Sequence, residues 1–166
     1  MDPDWDRIGS LEKTGEHNRA IKSLEEVLLQ HPGDEEAVIR LGFHYWYVTV
    51  EHDLLQVDRS AEDYGRSFMQ LFRQYEAALS HHADFCWAFG LGMSMFWFEF
   101  PGATKEVGDR LLAKAKELDE FWRKFPNVSL KEEIAKYGDR GIWTYYYSGL
   151  RPEFGRKSSG KHDDPK

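Results

Sequence analysis

The segment Asp84 to Phe100, DFCWAFGLGMSMFWFEF, limits what this chain can fold into more than any other. Phe85, Trp87, Ala88, Phe89, Leu91, Met93, Met95, Phe96 and Phe98 leave no polar face when wound as a helix, so a helix here must be covered on nearly every side. It is too short for a membrane span, which takes about 20 apolar residues, and Asp84 and Glu99 bound it ahead of Pro101. A buried strand is the alternative. Gly90 and Gly92 each weaken an isolated helix by roughly 1 kcal/mol relative to Ala. Packing must therefore stabilise this helix, and glycines in such a position let another helix backbone approach closely.

Segments able to surround it lie on both sides. Trp5, Ile8 and Leu11 suggest a short helix between Asp4 and Thr14, and Ala20, Ile21, Leu24, Val27 and Leu28 mark a helix over 17–30 that His31, Pro32 and Gly33 end. Asp34 can cap the next helix, with Glu35 and Glu36 at the positive end of its dipole. That helix runs to about Val50 and is apolar almost all round, which makes it a second sandwiched element. Residues 51–59, EHDLLQVDR, read as a connection. Ser60 and Asp63 then form a loose capping box for a long helix reaching about Ser80. Beyond Pro101 and Gly102, Thr104 can cap a helix through Phe125, and Ser129 with Glu132 opens a short helix that Gly138 ends. Ile142 to Tyr147 is expected as a final helical turn or an extended strip across the last groove. The result is one all-α domain over 1–150 and a polar, mobile tail over 151–166.

Composition narrows the functional classes. A hydrophobic content of 41%, with 15% aromatic residues, excludes wholesale disorder. The formal charge of −7 is uneven: residues 1–80 carry 16 acidic and 8 basic groups, a net −8, and residues 81–166 a net +1. An acidic half argues against nucleic acid, which needs a dense basic stripe; it suits a basic protein partner. The single cysteine, Cys86, excludes an internal disulfide, and its place inside the apolar segment suggests a buried, inert thiol. The opening MDPDWDRIGS has neither a basic n-region nor an apolar core, from which a cytoplasmic location is expected.

The strongest pattern is a repeat. Ala20, Leu24, Val27 and Pro32, followed by Leu41, Gly42 and Tyr45, match in type and offset the tetratricopeptide signature, which the chain resembles best over residues 15–47. A second, looser pass has Ala77, His82 in place of Pro, Ala88, Leu91, Gly92 and Met95, and Gly102 to Phe125 shadow a third. Val38 replaces the usual Trp, the connection near 48–60 is longer than a repeat allows, and the helices at 60–80 and 104–125 exceed the usual length. The resemblance implies a short right-handed array of about three antiparallel helical hairpins, closed by a C-terminal capping segment. A non-repeat helical bundle is the competing architecture.

Chemistry is sparse in the pattern. His44, Glu51, His52 and Asp53, or His81, His82 and Asp84, could converge, but no His-x-x-x-His or Glu-x-x-His spacing is present, so no metal ligands are assigned. No Gly-rich phosphate loop or Ser elbow has a strand to stand on, and the paired carboxylates Glu25/Glu26 and Glu35/Glu36 belong on wet faces or helix starts. No catalytic residue and no cofactor are expected. What remains is a non-enzymatic module that binds a protein or peptide. The resemblance places the first helix of each hairpin on a concave face, where Tyr45, Trp46, Trp87, Met95, Trp97 and Glu99 would supply contacts, with Glu51 and Asp53 at the mouth of the array to meet a basic ligand; burial in the core is the competing role for each of the aromatics. A narrower form is a bacterial immunity protein that occludes a basic toxin domain. The alternative is a helical metal-dependent hydrolase using His44, His52 and neighbouring carboxylates.

Overall fold

A computed structural model describes residues 2–124 and 130–138, and among these every regular element is helical. The elements are α1 (Trp5–Lys13), α2 (His17–Gln30), α3 (Glu35–Val50), α4 (Ala61–Leu79), α5 (Ala83–Phe96), α6 (Lys105–Leu118), α7 (Glu120–Lys124) and α8 (Leu130–Tyr137). A single 3-10 turn follows α3 at His52–Leu54, and another follows α5 at Trp97–Glu99. The expected capping role of Ser129, the 142–147 strip and the 151–166 tail lie outside the described residues. No described helix is long and apolar enough to cross a membrane.

Local chemistry sets the boundaries. Asp34 accepts a hydrogen bond from the Ala37 amide at 2.9 Å, Ser60 from Asp63 at 3.1 Å and Thr104 from Val107 at 3.3 Å, so the three expected caps each satisfy an orphan amide of the first turn. Gly102, at φ +79°, turns the chain after α5 in a conformation that a side chain rarely adopts. The single helix expected through Phe125 is instead divided. Asp119 is extended, and its carboxylate accepts the Phe121 amide at 2.8 Å, which caps α7 and ends α6.

The two apolar helices form the middle of the fold. Every residue from Ala37 to Thr49 on α3 and from Phe85 to Met93 on α5 is buried. Phe89 lies against Gly42, and Trp46 against both Gly92 and Phe96, so numbers rise together along the two helices and they run parallel. Around this pair α2 and α4 pack on α3, α6 packs on α5, and α1 packs on α2. The α5–α6 contact is the tightest. A Cβ at Gly90 would stand 3.0 Å from the Leu112 amide, and one at Gly108 would stand 2.2 Å from the Ser94 amide. The two backbones thus touch through glycines in an antiparallel crossing, the close approach that the sequence suggested for Gly90.

Candidate partner-binding surface

Because α3 and α5 are parallel, both finish at the same end of the molecule, each in a 3-10 turn. Gly65, on the second turn of α4, fixes their proximity. A Cβ there would lie 2.9 Å from the Glu99 carbonyl oxygen and 3.6 Å from the Thr49 methyl. Phe100 turns back inward and stacks on Phe68 with ring centroids 4.3 Å apart, which anchors the turn from below.

Above that anchor, apolar side chains face water. Met95 is 41% exposed, Trp97 45% and Phe98 63%, directly after nine buried residues of the same run. The expected all-round cover therefore holds for Phe85–Met93 and fails for the last turn. Trp97 and Phe98 meet edge to face at 5.9 Å, and a hollow lined by Trp97, Ala103, Thr104, Lys105 and Glu106 opens beside them. Leu54, on the other 3-10 turn, is 80% exposed. Contiguous exposed aromatics of this kind are uncommon on a surface that has no partner.

The seven residues read from the sequence divide between this end and the interior. Asp53, Trp97 and Glu99 are exposed and Glu51 is half-buried, all at or beside the two turns. Tyr45, Trp46 and Trp87 are buried, with Tyr45 at the side of a surface groove that Leu28, Leu29 and Tyr75 also line. Trp46 fills the space above Gly92, and Trp87 stacks on Trp122 at 4.1 Å. The Tyr45 hydroxyl donates to Glu25 at 2.6 Å, while Arg59 pairs with the same carboxylate at 2.6 Å. Burial pushes the Tyr45 phenol well above its usual pKa, and it stays a neutral donor. Together with Asn18 and Lys22, which hold Gln56 and Asp58, this clamp ties the long 51–60 connection down onto α2. The apolar character of Phe98 by itself points to the core. Pro101, three residues on, was the signal that the helix and its cover end here.

His44 and His52, the histidines of the hydrolase alternative, have other partners. His44 is fully buried, with Nε2 3.2 Å from Glu12 Oε1, and Arg40 lies 3.8 Å from the same carboxylate and 4.9 Å above the Trp5 ring. This polar cluster fastens α1 to α3. His52 sits 3.0 Å from the Arg59 carbonyl oxygen. Among the described residues no three His, Cys, Asp or Glu side chains are placed to hold a metal ion.

Comparison with family models, with curated proteins and with solved structures finds no match to the chain.

Proposed function

We propose that this chain is a non-enzymatic interaction module of tetratricopeptide-like organisation that holds a protein or peptide at the end where α3 and α5 finish. The observation that carries this reading is the exposure of Met95 in the last turn of α5 and of Trp97 and Phe98 in the 3-10 turn that follows it. Aromatic and Met side chains grouped on a surface are the usual anchors of protein contacts. The order of packing, α2 on α3, α3 on α5 and α5 on α6, is what stacking of successive hairpins would produce, and it supports the repeat-like part. An immunity protein that occludes a basic toxin is the narrower form, and the acidic first half of the chain is its support.

The test is affinity capture from the source cell with wild-type protein and with the W97A/F98A double variant, the retained chains being identified by mass spectrometry. A defined protein retained by the first and lost with the second is expected; identical recoveries from both would overturn the proposed face. Metal analysis of the same preparation addresses the other class. Stoichiometric zinc, iron or manganese would favour the hydrolase.

A further inference from the structure

We infer that the occupant of the Trp97 face is a cationic polypeptide segment, one that sets an apolar side chain beside arginine or lysine. The inference rests on the interaction-module reading and adds the chemistry of the partner.

Three features of the face converge on that chemistry. The first is apolar area, since Trp97 and Phe98 offer edge-to-face rings and the adjacent hollow between the 3-10 turn and the start of α6 has room for a side chain. An aliphatic or aromatic anchor would bury there. The second is the distribution of charge around the rings. Glu99, on the turn itself, and Glu106, in the lining of the hollow, are exposed and make no ion pair with any described residue; Asp53, also exposed, lies on the other 3-10 turn at this end, where the described ion partner of its carboxylate is His52, at 3.7 Å. The bases of the same end are already engaged. Lys105 pairs with Asp109 at 2.6 Å, Arg59 with Glu25 at 2.6 Å, Arg66 with Glu62 and Asp63, and Arg73 donates to the Pro101 carbonyl at 3.2 Å. Among the described residues, an incoming anion would meet the Glu99 and Glu106 carboxylates and basic side chains that already carry partners.

The third feature is the indole itself. Trp is the strongest ring partner for a guanidinium or ammonium group, and Glu99 stands two residues from Trp97 on the same turn. A cation lying on the Trp97 ring would have the Glu106 carboxylate, which lines the same hollow, to pair with. Neither element alone would select a partner so well. Acidic residues without the rings would hold any cation loosely through solvent, and rings without the acids would accept any apolar segment.

The experiment is selection of a displayed random dodecapeptide library on the full-length protein, followed by anisotropy titration of the enriched sequences as synthetic peptides. Enriched peptides are expected to combine at least two Lys or Arg with an aromatic or aliphatic residue. Their affinity should fall about tenfold or more with W97A, the loss of one interface anchor, and severalfold with E99K/E106K. It should also weaken as salt is raised. The substituted positions are exposed, so unchanged helical circular dichroism and thermal midpoint are expected of each variant. Neutral or acidic peptides that still need Trp97 would overturn the cationic partner and leave the interaction-module reading standing. Enrichment of nothing that depends on Trp97 or Phe98 would overturn both. A concentration-dependent dimer in sedimentation, abolished by W97A, would replace the cationic segment with a second copy of this chain.

Discussion

The indole of Trp46 on α3 lies over Gly92 on α5, its Cδ1 only 2.0 Å from where a Cβ on that glycine would stand. The relation is reciprocal, because the ring of Phe89 on α5 occupies the place of a Cβ on Gly42 of α3, at 2.5 Å. The Leu-Gly pairs at 41–42 and 91–92 thus have one physical role: each glycine makes room for an aromatic ring of the other helix.

Adding a methyl at either position must move a buried ring. Gly92→Ala and Gly42→Ala are each expected to cost about 1–3 kcal/mol, the usual penalty of overpacking a full core. Gly108→Ala should lie at or above the top of that range, because its methyl would meet the Ser94 backbone, which cannot rotate away. Gly9→Ala in α1 has nothing within 4 Å of the new methyl and should stabilise by roughly 0.5–1 kcal/mol. Urea midpoints at constant m-value measure all four.

Trp122 reaches back from α7 to the central helix. It is fully buried, stacks on Trp87 with an interplanar angle of 10°, and its indole N–H donates to Asp84 at 2.8 Å. Trp122→Phe keeps most of the apolar area and removes the donor, so a loss of about 1–3 kcal/mol is expected. Trp122→Ala should cost about 3–5 kcal/mol. Near-ultraviolet circular dichroism should lose the signal of the stacked pair in both variants.

His17 should make the fold sensitive to acid. Burial, with the neighbouring His44 as a second cause, lowers its pKa from 6.5 to about 4, against an opposing pull from Glu12. Between those values the unfolded chain binds a proton that the folded chain refuses, so stability is complete above about pH 6.5 and falls as pH drops toward 4. Urea midpoints of the wild type are expected to decline from pH 7 to pH 5, and the slope should lessen in His17→Phe. An equal slope in the variant would assign the acid sensitivity to other groups.

Cys86 should be unreactive while the protein is folded. It is fully buried on α5, and burial raises its thiol to about 11, so the nucleophilic thiolate is scarce at neutral pH. Alkylation by iodoacetamide is expected only at the rate of unfolding, with full labelling in guanidinium. Rapid labelling of native protein would show that α5 opens locally.

Much of the helical order was legible because it depends on neighbours in sequence. The stripe of Ala20, Leu24 and Val27, the caps at Asp34, Ser60 and Thr104, and the breaks at Gly33 and Gly102 act over one or two turns, and α2, α3 and α4 begin and end where those signals lie. Asp119 was missed because an Asp on the wet side of an amphipathic pattern looks the same whether it continues a helix or caps a new one. Only its bond to the Phe121 amide distinguishes the two.

The candidate site divides along the same line. Acidic residues after α3 and a Trp after α5 were visible as types, but whether an aromatic side chain is core or surface depends on what lies across from it. Trp46 and Trp87 found Gly92 and Trp122; Trp97 and Phe98 lie past the last turn that another helix covers. By itself the sequence determined that these helices form and that α3 and α5 must be enclosed, since neither offers a polar face. Tertiary structure alone decided that the two run parallel and end together, because direction and alignment are set by which glycine admits which ring.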